Sequence, residues 1–164
     1  MTEQSKTSVE DRAGKYLTFE LGGEVYGLEI LKVQEIIGIM TVTRVPRTPD
    51  FVRGVINLRG KVIPVVDLRI KFGLEAKDDT EKTCIIVVQV KQKDSEVTMG
   101  IIVDEVSEVL DIAAAQIEAA PEFGADIQAN FILGMGKVDK KVVMLLDVDR
   151  VLTGGEIEMV SKMS

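Results

Sequence analysis

The sequence predicts a mainly β protein: two small β-barrels of about five strands each from an internal duplication, packed together, with short helices. Three observations support this fold class: apolar residues with a period of two, a residue pattern that occurs twice, and the size of each half. The 164 residues are 46% apolar and 29% charged, which is typical of a globular protein with a real core. Each half holds about five short apolar runs, enough to close a small barrel.

The duplication appears as two matches with constant spacing. The stretch YGLEILKVQEII at residues 26–37 matches MGIIVDEVSEVL at residues 99–110, with a spacing of 73 residues. Residues 51–68 match residues 131–148 with a spacing of 80. Because the matches keep their order and the extra residues lie in one loop before residue 131, they indicate an internal duplication.

The first strands are predicted from the alternation of apolar and polar residues. This alternation runs over residues 17–21, stops at Gly22-Gly23, which suits a tight hairpin, and resumes over residues 26–30. Residues 30–37 fit either a short helix or a bent strand, so the pattern leaves both open.

The later strands follow from apolar runs between turn residues. Residues 52–58 and 61–66 predict two strands joined around Arg59-Gly60, and TCIIVVQV at residues 83–90 opens the second half with another strand. Gly54 and Gly60 lack the spacing of a dinucleotide or phosphate loop. We therefore expect these two glycines to serve turns and close backbone approaches.

The domain boundaries follow from these patterns. Residues 1–14 are predicted to be a flexible tail, residues 15–80 the first barrel half, and residues 81–153 the second. A polar join at residues 73–82 connects the halves, and residues 154–164 carry no strand pattern and are expected to be loose. An exchange of strands between the halves stays open.

The composition removes several classes of function. Histidine is absent, which excludes the commonest general base, the commonest metal ligand and every Ser-His or Cys-His arrangement. We expect no enzyme activity, no metal and no cofactor. The net charge of −7 argues against nucleic acid as a partner, because phosphate backbones repel an acidic chain. The single cysteine, Cys84, is predicted to be a buried small hydrophobe.

The expected location is the cytoplasm, without insertion into a membrane. Apolar runs such as residues 84–88 and 142–146 are far too short to cross a bilayer. The first 14 residues are polar and lack the apolar core of a signal peptide.

Asp67 and Asp147 occupy equivalent places, each at the end of an apolar strand. Both precede helix-compatible spacing, so we interpret them as helix caps rather than as acids or metal ligands. Asp147 and Asp149 resemble half of a calcium loop. Their neighbours Leu146 and Val151 are apolar, however, and do not supply the oxygen-rich loop that calcium needs.

Arg59 has no arginine counterpart in the second half, where Asp139 stands at the matching position. It could pair with Glu35 in a structural role or offer its guanidinium to a partner, and the sequence leaves both open. Asn57 can adopt a left-handed backbone or bond to a neighbouring strand.

Four stretches together resemble CheW, the coupling-protein family of bacterial chemotaxis: YGLEILKVQEI, GVINLRGKVIPVVDLR, GIIVDEVSEVL and APEF. The resemblance covers residues 15–153. It implies two SH3-like barrels of five strands each on a shared core. It also implies a non-enzymatic adaptor that bridges the cytoplasmic tips of methyl-accepting chemoreceptors to the regulatory domain of the histidine kinase CheA, within receptor arrays.

The resemblance further implies contact residues, carried over by motif. Those near the receptor-binding groove are Val33, Glu35, Ile36, Asn57, Arg59, Gly60, Val106 and Val109. Those of the kinase contact are Glu122, Phe123, Met40 and Val42. Phe123 falls in the longer loop of the second half, where an exposed aromatic side chain makes a good interface anchor.

A second hypothesis stays open at this point. A CheW-like adaptor could serve a non-flagellar receptor–kinase pathway, such as surface motility, and the sequence does not separate the two. An enzyme would need a pocket built from carboxylates and lysines alone.

Overall fold

The computed structural model describes the chain in four segments: residues 12–75, 78–91, 95–119 and 131–163. Strands dominate these segments and form two sheets, with a few short helices between them. The predicted fold class, mainly β with two barrels and short helices, is confirmed. Residues 1–11 of the predicted tail lie outside the described residues.

Sheet A has six strands. They are β1 (Gly14–Leu21), β2 (Glu24–Glu29), β8 (Glu105–Ile112), β9 (Ile117–Glu118), β10 (Ile132–Val138) and β11 (Lys141–Leu146). Their spatial order is β8-β1-β2-β11-β10-β9. All neighbours are antiparallel except β2 and β11, which run parallel.

Sheet B has five strands. They are β3 (Val33–Gly38), β4 (Val52–Leu58), β5 (Lys61–Asp67), β6 (Cys84–Lys91) and β7 (Glu96–Val103). Their spatial order is β3-β6-β7-β5-β4, with β5 and β7 as the parallel pair. The two-residue strand β9 of sheet A has a reduced counterpart here, a single bridge between Thr43 and Val55.

Each sheet takes strands from both halves of the chain. Sheet A combines β1 and β2 of the first half with β8–β11 of the second, and sheet B combines β3–β5 with β6 and β7. The chain therefore crosses between the sheets twice, at the 3-10 helix Ile30–Lys32 and at Asp104. A division near residue 80 does not separate the two sheets. Residues 30–37, ambiguous in the sequence, are a 3-10 turn followed by strand β3.

The duplication is visible in the register of the parallel pairs. Val65 lies opposite Gly100 in sheet B, and Leu145 lies opposite Gly27 in sheet A. These are the residues that the two sequence offsets match with each other. The two halves thus build the same pairing twice, each completing the sheet of the other.

Three apolar clusters form the core. One contains residues of sheet B alone, among them Ile56, Ile85 and Ile102, and another contains residues of sheet A, among them Tyr16 and Leu145. The third and largest lies between the sheets and draws on both. Alternation of side chains explains this division, since each strand sends one face into its barrel and the other towards the shared core.

The C-terminal segment is ordered in a helix, which corrects the expectation of a loose end. Helix α2 (Gly154–Ser161) is capped by Thr153. The Thr153 hydroxyl oxygen accepts a hydrogen bond from the Glu156 amide, and the Thr153 amide donates one to the Glu156 carboxylate. Ile157 and Val160 of α2 are buried in the shared core. These apolar contacts offset the ordering cost of the segment, although its apolar residues show no strand period.

Two further details complete the fold. Cys84 is half-buried at the start of β6 rather than fully buried, and its Sγ lies 3.3 Å from the Lys82 carbonyl oxygen. Among the described residues, the other α-helix is the single turn α1 (Leu68–Lys71). In the described segments, no helix has the length and hydropathy to cross a membrane.

Candidate functional site

The two equivalent aspartates cap short helices, as predicted. The Asp67 carboxylate accepts a hydrogen bond from the Arg69 amide at 3.0 Å and caps α1. The Asp147 carboxylate accepts one from the Asp149 amide at 3.0 Å and caps the 3-10 helix Val148–Arg150. Within the described segments, no cluster of Cys, Asp and Glu has a metal-binding arrangement.

Gly54 and Gly60 have the predicted backbone roles. Gly54 has φ +144°, and a Cβ there would lie 2.0 Å from the Thr43 carbonyl oxygen. Gly60 has φ +88° in the β4–β5 turn, and its amide donates to Asn57 Oδ1 at 2.9 Å. Arg59 also has a positive φ in this turn, 53°, whereas Asn57 stays in strand β4 and braces the turn with its side chain.

Arg59 and Glu35 form the ion pair that the sequence left open. The guanidinium donates to both carboxylate oxygens of Glu35, with one N–O distance of 3.2 Å. Arg59 is 69% exposed and Glu35 is 29% exposed. The turn between β4 and β5 thereby contacts β3, which lies at the opposite end of the sheet B order. The pair joins the two outer strands and holds a charged group at the surface.

The apolar candidates divide into two equivalent pairs. Val33 and Val106 are half-buried and pack against the core shared by the two sheets. Ile36 is 42% exposed and Val109 is 49% exposed. One member of each pair lies on β3, an outermost strand of sheet B, and the other on β8, an outermost strand of sheet A.

The candidates for the kinase contact are only partly described. Met40 is exposed in the segment between β3 and β4, whereas Val42 is half-buried against the core of sheet B. Glu122 and Phe123 lie outside the described residues. Met40 is therefore the described member of this set with the more accessible side chain.

A buried ion network, which sequence analysis missed, lies at the end of β5. Arg69 is almost fully buried and bonds to Asp67, Asp79 and Asp104, with N–O distances between 2.9 and 3.3 Å. Burial alone would raise the pKa of Asp67, but the bonds and charges of Arg69 and Arg53 outweigh it and hold that pKa below its usual value. Bonds from Arg53 and Arg69 likewise lower the pKa of Asp79, although its burial opposes them.

The equivalent region of the second half has an excess of acid. Burial raises the pKa of Asp147, and burial together with the charge of Asp147 raises the pKa of Glu29. Lys32 lies among these groups and bonds to Asp149 at 2.8 Å. The signal that could have revealed both regions is the charged residue two positions after each capping aspartate, Arg69 in one half and Asp149 in the other.

The fold and these contacts define a class of protein. Two sheets with exchanged strands share one core, and exposed apolar side chains, Ile36 and Val109, lie on an outermost strand of each sheet. A family model described as a CheW-like domain matches residues 15–156. The chain belongs to the CheW family, whose members are scaffold and coupling proteins of chemotaxis.

Known proteins of similar sequence and structure agree. The chain is 40% identical to the chemotaxis protein CheW of Klebsiella aerogenes over 160 residues, covering 98% of this chain and 94% of that relative. It is 34% identical to the chemotaxis protein CheW of Helicobacter pylori, covering 90% and 87%. The crystal structure of the scaffolding protein TtCheW from Thermoanaerobacter tengcongensis is similar with a TM-score of 0.77 and 35% identity, covering 88% of this chain and 97% of that one. The family predicted from the sequence is confirmed.

Proposed function

We propose that this protein couples the cytoplasmic tips of methyl-accepting chemoreceptors to the regulatory domain of the histidine kinase CheA. It acts in the cytoplasm without catalysis, and its partners recruit it to receptor arrays at the membrane. It binds no nucleic acid and inserts no segment into the bilayer. Membership of the CheW family supports this proposal.

One observation carries the receptor contact. Strands β3 and β8 are equivalent in the duplication, and each is one of the two outermost strands of its sheet. Ile36 and Val109 are exposed at matching positions on them, and the Arg59–Glu35 pair holds a guanidinium beside β3. A helix with an apolar stripe and a polar flank would bury the two aliphatic side chains and accept hydrogen bonds from the guanidinium.

The apolar wall is completed by Val33 and Val106, which pack inward and support the exposed residues. Asn57 and Gly60 keep the β4–β5 turn in the shape that brings Arg59 to Glu35. In this proposal the eight receptor-contact residues act in two ways. Some touch the receptor, and the rest hold those in place.

The kinase contact uses a different surface. Met40 is exposed between β3 and β4, and an unbranched thioether side chain adapts well to a protein partner. Val42 anchors this segment on the core of sheet B. Glu122 and Phe123 are proposed as the second part of this contact.

The test is the substitution Arg59→Ala, measured in two assays. We expect the melting temperature to stay unchanged, since the guanidinium is exposed, and receptor control of kinase autophosphorylation to be lost in reconstituted receptor–kinase complexes. Arg150→Ala is the matched control, because Arg150 is 64% exposed and lies near the carboxylate of Asp147. Normal coupling by Arg59→Ala would show that Arg59 is not part of the receptor contact. A large drop in melting temperature would show that its role is structural.

A further inference from the structure

The two crossings between the sheets are equivalent points of the duplication. The first leads from β2 of sheet A through Ile30–Lys32 into β3 of sheet B. The second leads from β7 of sheet B through Asp104 into β8 of sheet A. Each crossing is therefore followed directly by one of the two edge strands assigned above to the receptor contact.

An ion pair holds the first crossing. Lys32 Nζ lies 2.8 Å from Asp149 Oδ2, and both side chains are about three-quarters buried. The other carboxylate oxygen of Asp149 accepts the Lys91 amide at 2.8 Å, at the end of β6. Asp149 itself stands on the 3-10 helix that Asp147 caps. The crossing is thus tied to the 3-10 helix after β11 and to the end of β6, both in the second half.

An ion pair of opposite polarity holds the second crossing. Asp104 Oδ1 accepts from the Arg69 guanidinium at 3.3 Å, and Oδ2 accepts the Gly22 amide at 2.8 Å, in the β1–β2 hairpin. The Asp104 amide donates to the Glu20 carbonyl oxygen at 3.0 Å. Arg69 is fixed in turn by two bonds to Asp67. One carboxylate therefore joins the end of sheet B to the hairpin of sheet A.

Both pairs join the residue two positions after a capping aspartate to a crossing between the sheets, and their charges are reversed. Arg69 and Asp149 are 80 residues apart, at the matching position after each capping aspartate, and one is basic where the other is acidic. Their partners Asp104 and Lys32 lie in equivalent crossings, one position out of register because Lys32 matches Glu105, and their charges are reversed in the same sense. Two first halves paired together would bring the cation Arg69 to the crossing that carries Lys32, and two second halves would bring Asp149 to the crossing that carries Asp104. Only one half of each kind satisfies both contacts.

We propose that these pairs, Lys32–Asp149 and Arg69–Asp104, are crossover latches that fix the starts of β3 and β8 and so position both walls of the receptor-contact surface. The link to the receptor rests on the function proposed above, whereas the hold on the two strands does not. The residues are positioning residues, because they act through β3 and β8.

Amide hydrogen exchange in the full chain tests the latches one at a time. Lys32→Met removes the first charge while keeping most of the apolar stem. Asp104→Asn removes the second charge while keeping an oxygen for Gly22. We expect Lys32→Met to speed exchange of the protected β3 amides by about threefold to fivefold and to leave β8 unchanged. Asp104→Asn should speed exchange in β8 by a similar factor and leave β3 unchanged. Lys32→Arg should restore slow exchange, and Lys137→Met, which breaks the exposed pair with Glu118, should change neither strand.

The strand selectivity decides the outcome. A uniform rise in exchange over the whole chain would overturn the latches, because it would show only a general loss of stability. Unchanged exchange in both variants would overturn them equally. Faster exchange confined to β3 in Lys32→Met and to β8 in Asp104→Asn supports the proposal.

A second measurement separates this proposal from the proposed function. Binding of a soluble receptor cytoplasmic fragment should weaken in Lys32→Met, in Asp104→Asn and in the surface variants Ile36→Asp and Val109→Asp. If the surface variants lose binding and the latch variants do not, the positioning role is wrong. If the surface variants bind normally, the receptor-contact surface is wrong, while the exchange data still decide whether the latches hold β3 and β8.

Discussion

The close approach at Gly54 makes Gly54→Ala a severe test of the structure. A Cβ at this position would lie 2.0 Å from the Thr43 carbonyl oxygen, 2.8 Å from its carbon and 3.0 Å from the Cα of Arg44. All three atoms belong to the backbone, so no side-chain rotation relieves the overlap. The segment around Thr43 must therefore move away from β4.

The size of the effect follows from what this movement breaks. Thr43 and Val55 exchange two backbone hydrogen bonds, each of 2.8 Å. Losing both costs about 1–3 kcal/mol. The backbone at φ +144° adds about 1–3 kcal/mol of strain for a residue with a Cβ. We expect the free energy of unfolding to fall by about 3 kcal/mol or more, a large part of the stability of an ordinary domain.

Urea unfolding followed by circular dichroism measures this loss, and Gly23→Ala is the matched control. Gly23 also has a positive φ, +86°, but a Cβ there meets nothing within 4 Å. The control should therefore show the backbone strain without the collision, about 1–2 kcal/mol. Equal losses in the two variants would refute the close approach, and with it the bridge that positions the β3–β4 segment.

Two smaller effects are also expected. Thr153→Ala should lower the free energy of unfolding by about 1 kcal/mol, because it removes the reciprocal cap with Glu156, and a denaturation midpoint equal to that of the wild type would contradict the cap. The pKa of Asp67 is lower in the folded chain than its unfolded value of about 3.9, so ionised Asp67 stabilises the fold at any pH above that value. This contribution disappears as the pH falls through the folded pKa. Asp67→Asn should therefore be less stable at pH 7 and lose less stability between about pH 5 and pH 2 than the wild type. If the free energy of unfolding of Asp67→Asn falls with pH as steeply as that of the wild type in this range, the contacts of Arg69 do not shift the titration of Asp67.

Much of the fold could be predicted because the duplication repeats local signals. The glycines at positions 27 and 100, and the aspartates at positions 67 and 147, recur with fixed spacing and have the same place in both halves. Period-two alternation then identifies most strands. The pattern does not reveal which half completes which sheet, because strands of both halves have the same alternation and would pair equally well.

The candidate site was less accessible to sequence reasoning. The pair of Arg59 with Glu35 was one of two open alternatives, and its geometry depends on a turn that brings residues of β3 and β4–β5 together. The network of Arg69 was missed because its carboxylates come from three separate segments. Helix α2 was missed because two buried residues anchor it rather than any strong local periodicity. Contacts between distant segments leave little trace in a local pattern.

The order of strands along the chain has a consequence for folding. Sheet B uses residues 33–103 without interruption, whereas sheet A takes strands from before and after that stretch. The sequence of sheet B is therefore inserted between the strands of sheet A. Sheet B can form during synthesis while the remaining residues are still emerging. Until β8–β11 arrive, Leu17, Phe19 and Leu28 of the first hairpin lack their final neighbours. Completion of sheet A, which joins distant parts of the chain, is then the slow step and the one most exposed to aggregation.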